Sequence, residues 1–384
     1  MKALLFANTE WYLFNFRLSL ARALQSAGYQ VILSSPPGPY GQRLRALGFD
    51  WRPAPMDRLS LNPLSELRLL WWLIRLLRAE QIHIVHGFTI KCAVYGSLAA
   101  RLSGDRPRIG AVAGLGYVFT SPSTKAMLLR PLVRIALRLA LGGNRSRLIL
   151  QNPDDVVLFK SGRLARADQL RLIPGSGVDL TRFKPAEGRQ RDSARDPFRI
   201  VLPARLLWDK GISEWVAAAE KLKHSHPQVR FLLAGESDAG NPAAVPVEQL
   251  TAWHDAGVIQ WLGKVEDMPA LFQSVEAAAL PSYREGLPKS LIEAAGCGLP
   301  LITTDVPGCR EVVRHEEDGL IIPARDATAL ALAVARLADD PDLCRTLGTA
   351  ARQRARMEFD ERMVIDKTLA VYEELRRQPY AQSD

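Results

Sequence analysis

The sequence predicts two doubly wound α/β domains that face each other across a cleft. Its 384 residues exceed one ordinary domain and fit two domains of roughly 150–200 residues each. With 47% apolar and 24% charged residues, the chain has a globular composition that can bury two cores. Short apolar runs alternate with amphipathic helical patterns along both halves, which is typical of parallel sheets with helices on both faces. Ligands are then expected at the carboxyl ends of the strands.

The first domain is expected to span residues 1–182. Its apolar runs predict six strands, which are Lys2–Asn8, Gln30–Ser35, His83–Gly87, Ile109–Ala113, Arg147–Gln151 and Leu170–Pro174. A Pro/Gly loop over residues 36–41 separates the second strand from the helix that follows it.

A polar, charged segment over residues 183–198 predicts a linker, and the second domain is expected over residues 199–360. The strands predicted there are Arg199–Ala204, Val229–Ala234, Ile259–Leu262, Ala277–Leu280, Leu301–Thr304 and Leu320–Ile322. The alternation of strand and helix is therefore repeated in the second half.

Charge is shared unevenly between the two halves. Residues 1–190 hold 27 Lys and Arg against 11 Asp and Glu, a net charge of +16, whereas residues 191–384 carry −7. The first half is therefore expected to meet something anionic, which leaves nucleic acid, an anionic membrane face and a phosphorylated acceptor open. The four scattered cysteines predict reduced thiols, and no apolar run approaches the roughly 18 residues of a membrane span. The opening residues predict a first strand rather than a signal peptide.

A strand–turn–helix stretch over residues 282–298 is the most informative part of the sequence. Pro288 suits the first helical position, and the amides of Lys289, Ser290 and Leu291 would then point out of the helix start toward a phosphate. Glu285 precedes the helix and Glu293 lies within it, so a bound nucleotide-sugar could meet one carboxylate on each side. The alternative is a plain strand–turn–helix unit with two solvated glutamates.

Two cations follow the first strand of the second domain. Arg205 and Lys210 could clamp a diphosphate from the side opposite the Pro288 helix and stabilise its charge as it leaves. Two solvated side chains would fit the spacing equally well. The Asp340-Pro-Asp342 pattern has the spacing of a metal-binding motif, but it lies between two helical patterns and favours helix capping. No metal is expected.

The loop after the first strand is long, aromatic and polar. Asn15 and Arg17 could contact an anionic acceptor there, although Arg17 could equally be an ordinary helical residue. His86 stands at the predicted end of a strand and is expected to open into the cleft, whereas His83 is expected to be structural. Gly114 and its neighbours also follow a strand end, where glycine lets the backbone approach a ligand.

Two helical patterns of the first half mix arginine with large apolar residues. In Lys125–Leu141, Arg130, Arg134 and Arg138 are four residues apart and share one helical face. The second pattern, Glu66–Arg78, carries two tryptophans and three arginines. Basic amphipathic helices of this kind bind anionic membrane surfaces. The alternative for both is a sheet-covering helix with solvated arginines.

Several motifs together resemble those of the retaining family-4 glycosyltransferases. They are Pro-Ala-Arg205 with Lys210-Gly211, Ala-Gly235-Glu236, Leu-Gly263, Glu285 with Glu293, Pro-Gly308-Cys and Gly177-Val-Asp179. The resemblance implies the GT-B fold, retention of anomeric configuration, no metal, and no cofactor other than the nucleotide-sugar that serves as donor substrate. It also implies that the last helical pattern, within residues 361–384, packs back on the first domain.

The same resemblance implies roles for individual residues. Arg205 and Lys210 would contact the diphosphate, Glu285 the donor sugar, Glu293 the ribose, and His86 would lie near the transferred sugar. The other donor-binding candidates are Gly263, Gly286, Leu287, Lys289 and Ser290, and the acceptor-side candidates are Glu10, Asn15, Arg17, Gly114 and Tyr117. Many family members have glycine where this chain has Pro288, so a phosphate contact at that amide is lost.

A narrower resemblance holds for Asn15-Phe-Arg17, Val85–Lys91, Gly114–Tyr117 and Gln151–Asp155. These stretches look like those of bacterial transferases that extend undecaprenyl-diphosphate-linked sugars for lipopolysaccharide, capsule or other surface glycans. The expected donor is a UDP-linked hexose or N-acetylhexosamine. The expected location is cytoplasmic, peripheral on the inner face of the membrane.

Two other functions stay open on the sequence, namely a transferase with a soluble acceptor and a nucleotide-sugar epimerase. Nucleic acid is not expected as a partner, because the aromatic residues are not interleaved with a basic stripe on a known module.

Overall fold

The computed structural model describes residues 1–57, 60, 62–112, 124–186, 196–238 and 240–377. The chain forms two compact units. The first contains Met1–Ser176 together with the chain from Val364 onward, and the second contains Gly177–Met363. The chain therefore passes between units at residues 176–177 and 363–364, where the sequence pattern had suggested boundaries at 182 and 360.

The described residues of the first unit contain a seven-stranded parallel sheet with strand order β3-β2-β1-β4-β5-β6-β7. The strands are β1 (Lys2–Phe6), β2 (Gln30–Ser35), β3 (Asp50–Pro53), β4 (Ile84–Phe88), β5 (Arg108–Val112), β6 (Ser146–Leu150) and β7 (Leu170–Leu172). Six of these strands were predicted. The edge strand β3 was not, because only Trp51 of its four residues is buried and no apolar run marks it.

Helices cover both faces of this sheet. In chain order they are α1 (Glu10–Phe16), α2 (Leu18–Ser26), α3 (Pro39–Ala46), α4 (Pro63–Ala79), α5 (Ile90–Leu102), α6 (Thr124–Leu141) and α7 (Pro153–Ser161). Helices α4 and α6 both pack against α5 and so lie on one face of the sheet. The other face packs against α2 and against the last helix of the chain, α14 (Glu361–Arg376).

The second unit has a six-stranded parallel sheet within the described residues, in the order β10-β9-β8-β11-β12-β13. Its strands are β8 (Phe198–Pro203), β9 (Val229–Ala234), β10 (Gln260–Gly263), β11 (Ala277–Leu280), β12 (Leu301–Thr304) and β13 (Gly319–Ile322). Its helices are α8 (Ile212–Leu222), α9 (Val247–Asp255), α10 (Met268–Gln273), α11 (Lys289–Gly296), α12 (Ala327–Asp339) and α13 (Pro341–Glu358). Asp340 caps α13 by accepting from the Leu343 amide at 2.9 Å, so its predicted capping role is confirmed.

Each sheet contains one point at which the strand order reverses. In the first unit it lies between β1 and β4, and in the second between β8 and β11. The chain leaves these two strands in opposite directions, which opens a crevice at their carboxyl ends where open α/β sheets bind ligands. The residues that follow β1, β4, β8 and β11 are therefore the first ones to inspect for a functional site.

Candidate active site

Lys210 and Glu285 meet at the switch point of the second unit. Lys210 ends a short 3₁₀ turn after β8, and Glu285 lies in the turn after β11. The Lys210 ammonium donates to Glu285 Oε1 at 2.6 Å, and the Ser282 hydroxyl donates to the same oxygen at 2.8 Å. The structure thus joins two residues that are 75 positions apart in the sequence.

Close backbone packing holds the Glu285 turn in place. Gly211 has a φ of +75°, and a Cβ there would lie 2.2 Å from the Pro281 carbonyl oxygen. On the opposite side, a Cβ at Gly308 would lie 2.4 Å from the Glu285 carbonyl oxygen. The Glu285 amide also donates to the Pro307 carbonyl at 3.0 Å. Only glycine allows both approaches, so the carboxylate is presented from a rigid turn.

Electrostatics keep Lys210 charged. Burial lowers the pKa of its ammonium, but Glu285 and then Asp209 raise that pKa by a larger amount. The net pKa therefore lies above the ordinary value. A lysine held in its charged form beside a switch point is suited to stabilising a phosphate.

The start of helix α11 differs in one detail from the sequence prediction. Pro288 is the residue that precedes the helix, with φ −71° and ψ 101°, and not its first helical residue. Its carbonyl therefore accepts from the Leu291 amide at 3.2 Å, so the expectation that this amide is available for phosphate was wrong. The Ser290 amide has no partner among the described residues and remains a candidate donor.

Glu293 lies one turn into α11 and is nearly enclosed. Burial raises the pKa of its carboxyl group, while Lys289 and then Arg182 lower it, and the net pKa is raised. The Lys289 ammonium lies 3.9 Å from Glu293 Oε1, too far for a strong hydrogen bond. Glu293 is thus a largely buried carboxyl group on the helix whose start lies next to Glu285.

Arg205 extends into solvent after β8, with 63% of its side chain exposed. Its Nη1 donates to Asp238 Oδ2 at 3.2 Å, and Asp238 is itself nearly buried. Asp238 therefore orients an arginine whose side chain is otherwise mostly in solvent. At the end of β10, Gly263 has a φ of +65° with open space where a Cβ would stand, which leaves room for a ligand beside the backbone.

At the switch point of the first unit, Arg17 is a buried cation with no carboxylate partner among the described residues. Only 7% of the residue is exposed. Its Nη2 donates to the Tyr12 hydroxyl at 2.7 Å, and its Cζ lies 4.5 Å from the centroid of the Phe88 ring at the end of β4. Its Nε is enclosed and makes no hydrogen bond to any residue that the structure describes. An enclosed cation without a counter-ion is costly in a folded protein, which makes Arg17 a candidate for contact with an anionic ligand.

The prediction that His86 opens into the cleft was wrong, because the residue is enclosed. Strand β4 runs to Phe88, so His86 lies in its middle, in register with Leu5 and Ile109, and is 1% exposed. Its Nδ1 lies 3.0 Å from the hydroxyl oxygen of Tyr372 on α14. Burial, and then Arg17, hold the pKa of the imidazole well below its ordinary value, so the ring is neutral.

The remaining acceptor-side candidates divide into two groups. Glu10 begins α1 and is 7% exposed, while Asn15 uses its amide to donate to the Trp11 carbonyl at 3.0 Å. Gly114 and Tyr117 lie outside the described residues. His83 accepts from the Lys2 amide at 3.0 Å, in agreement with its predicted structural role.

Comparison with known proteins identifies the chain. Residues 184–354 match the model described as Glycosyl transferases group 1, and residues 2–152 match the one described as Glycosyl transferase 4-like. The chain is a glycosyltransferase with a group 1 domain and a 4-like domain. This glycosyltransferase is 27% identical over 369 residues to the N,N'-diacetylbacillosaminyl-diphospho-undecaprenol alpha-1,3-N-acetylgalactosaminyltransferase of Campylobacter jejuni, covering 94% of this chain and 95% of that protein.

Two further similarities support the assignment. The glycosyltransferase is 26% identical over 290 residues to the UDP-Gal:alpha-D-GlcNAc-diphosphoundecaprenol alpha-1,3-galactosyltransferase of Escherichia coli, covering 73% of each chain. It superposes on Anabaena Alr3699/HepE, solved in complex with UDP-glucose, with a TM-score of 0.76 at 19% identity, over 98% of this chain and 100% of that one. The predicted GT-B fold is therefore confirmed.

Sequence reasoning missed several residues of the glycosyltransferase that the structure brings to the two switch points. Ser282 is within the quoted turn, and only the fold reveals its bond to Glu285. Asp238 lies 33 positions from the arginine that it orients. Phe88, which flanks Arg17 together with Tyr12, stands in an apolar strand and gives no signal of its own.

Proposed function

We propose that this glycosyltransferase moves a hexose or N-acetylhexosamine from a UDP-sugar to an undecaprenyl-diphosphate-linked sugar at an anionic membrane surface. The observation that carries the membrane part is a pair of apolar stripes, each flanked by arginines, on α4 and α6. The donor part is supported by the groups at the switch point of the second unit.

Helix α4 leaves its apolar stripe uncovered. Leu64, Leu67 and Trp71 follow one another at the spacing of one helical face, and they are between 57% and 76% exposed. The Arg75 guanidinium stacks on Trp71, with Cζ 4.5 Å from the ring centroid. Tryptophan and arginine are suited to the boundary between lipid headgroups and acyl chains.

Helix α6 repeats this pattern. Leu132, Ile135 and Leu139 have the same spacing and are 53–64% exposed, and Arg134 is exposed beside them. Arg138 instead donates to the carbonyls of residues 162 and 163 at 3.0 and 2.9 Å, which fixes the helix to the loop after α7. Because α4 and α6 both pack on α5, the two stripes lie on the same side of the sheet.

Contact with a membrane explains these stripes better than exposure to water does. Proteins rarely expose contiguous apolar patches without a partner, and here the patches belong to the half of the chain with a net charge of +16. Anionic lipid provides both the apolar and the negative component. None of the helices in the described ranges is long and apolar enough to cross a bilayer, so the contact that we propose is peripheral.

For the donor we propose the following roles. Lys210 and Arg205 bind the diphosphate together with the start of α11 around Gly286, Leu287, Lys289 and Ser290. Glu293 accepts from the ribose hydroxyls, and Glu285 accepts from the donor sugar. As the glycosidic bond to phosphate breaks, negative charge grows on the leaving diphosphate, and preorganised cations stabilise that charge. His86 is enclosed, so we assign it to positioning Tyr372 rather than to contact with the sugar.

For the acceptor, the names of the two curated relatives support a lipid-linked diphosphate, because each names a diphospho-undecaprenol sugar. Arg17 offers a buried positive charge at the switch point of the first unit for such a substrate. Gly114 and Tyr117 remain acceptor-side candidates on the resemblance alone.

The decisive experiment is a screen of nucleotide-sugars against a short-chain prenyl-diphosphate N-acetylhexosamine acceptor, with the product identified by mass spectrometry and NMR. Transfer that needs a UDP-sugar and the lipid diphosphate supports the proposal. Equal transfer to the free sugar would favour a soluble acceptor. NMR of the donor alone, with conversion to its epimer, would instead favour an epimerase.

A further inference from the structure

Glu10 is a largely buried carboxylate that has no hydrogen-bond or ion-pair partner among the described residues. It stands in the first turn of α1, directly after β1, and only 7% of the residue is exposed. No described residue donates a hydrogen bond to it or forms an ion pair with it. The carboxylate oxygens are not completely enclosed, so part of their surface can be reached by a ligand.

A glycine leaves the space that this carboxylate occupies, and we call that space its seat. Gly38 lies in the loop between β2 and α3, and a Cβ built there would stand 2.0 Å from Glu10 Oε1 and 2.4 Å from Cδ. Gly38 has a φ of −179°, which any residue adopts, so its conformation does not require glycine. A side chain at position 38 would force the Glu10 carboxylate to move, so Gly38 leaves open the space that the carboxylate occupies.

The location of the seat points to a ligand. Glu10 follows β1 and Gly38 follows β2, so both lie at the carboxyl edge of the sheet, next to the switch point between β1 and β4. Arg17 ends the same helix α1, yet the two opposite charges form no ion pair with each other. A single short helix therefore presents two unneutralised groups of opposite sign at the edge where a substrate binds.

We propose that Glu10 accepts a hydrogen bond from a hydroxyl or amide N–H of the acceptor sugar, and that Gly38 keeps its seat open. This assignment rests on the proposed function. An ionised carboxylate only accepts, so it selects for a donor group and repels a phosphate. The acceptor therefore binds with its sugar toward Glu10 and its diphosphate away from it, on the Arg17 side.

Two variants test this in different ways. Glu10→Gln replaces one charged acceptor by an amide, and Gly38→Ala leaves Glu10 intact but fills its seat with a methyl group. Loss of a hydrogen bond to a charged group corresponds to about a 10- to 100-fold decrease. Both variants should lower kcat/KM for the acceptor by that factor while calorimetric UDP affinity stays within twofold of wild type. Glu248→Gln, a carboxylate-to-amide change on exposed α9, is the matched control and should alter neither.

A series of monodeoxy acceptor sugars then identifies the hydroxyl concerned, and an amide-methylated sugar tests the N–H. With wild type, one of these analogues should lower kcat/KM by the same factor as Glu10→Gln does with the natural acceptor. With the Glu10→Gln variant, the same analogue should lower kcat/KM no further. If wild type transfers sugar but both variants keep full acceptor kcat/KM, the Glu10 assignment is wrong and the proposed function stands. If wild type transfers nothing to any lipid-linked acceptor, the proposed function falls and the assignment falls with it.

Discussion

The Lys210–Glu285 pair allows its structural and catalytic contributions to be separated. The two side chains are only 12% and 17% exposed, and Glu285 keeps the Ser282 hydroxyl as a second donor. Removing one partner of a buried pair costs about 3–5 kcal/mol because the other charge is left uncompensated. Since some solvent reaches both groups, we expect Lys210→Met to lower the free energy of unfolding by about 3 kcal/mol.

The double variant Lys210→Met/Glu285→Gln removes both charges and should recover most of that loss. Urea denaturation of wild type, both single variants and the double variant gives the coupling energy, which we expect to be about 2–3 kcal/mol. The exposed Arg345–Asp342 pair on α13 is the control, with side chains 75% and 82% exposed. Its cycle should give about 0–1 kcal/mol.

Activity should not follow stability. Loss of a preorganised charge stabiliser lowers kcat by about 10²–10³, and the double variant lacks that charge as well. Initial rates of UDP release should therefore stay low in the double variant although its stability returns. A coupling energy below about 0.5 kcal/mol would refute the contribution of the ion pair to stability, and recovered kcat in the double variant would refute the assignment of Lys210 to the diphosphate.

Three further predictions concern other parts of the chain. Glu293→Ala should weaken UDP binding by about 1.5–3 kcal/mol, as expected for a charged acceptor, and unchanged affinity in calorimetry would remove it from the site. Reversal of Arg130 and Arg134 to Glu, with the helix-anchoring Arg138 left in place, should release the protein from anionic vesicles in sedimentation while UDP binding persists, because each basic residue contributes about 1 kcal/mol at an anionic surface. High salt should mimic the variant, and a wild type that never sediments at low salt would contradict the proposal. His86 is neutral in the folded protein but becomes protonated in the unfolded chain at low pH. The free energy of unfolding should therefore fall as the pH drops below about 6.5, by up to about 1.4 kcal/mol per pH unit. An identical dependence of the unfolding free energy on pH in His86→Gln would contradict this.

The sequence predicted the sheet architecture well because central parallel strands are buried on both faces. Such strands appear as continuous apolar runs, as in β11 and β12, and they can be located without tertiary information. The turn with Glu285 was equally visible, because its residues are close together in the chain and resemble a known motif. The edge strand β3 had no such run and could be recognised only from its pairing with β2.

The tertiary structure decided which polar groups meet and which are enclosed. His86 looked like a strand-end residue, but one more residue in β4 and the packing of Tyr372 from α14 bury it. The Lys210–Glu285 bond and the Glu10 seat at Gly38 each join segments from different strand ends. The apolar periodicity of a sequence indicates only how much of a segment is buried. The partner of a polar side chain depends on strand order and register, which long-range packing sets.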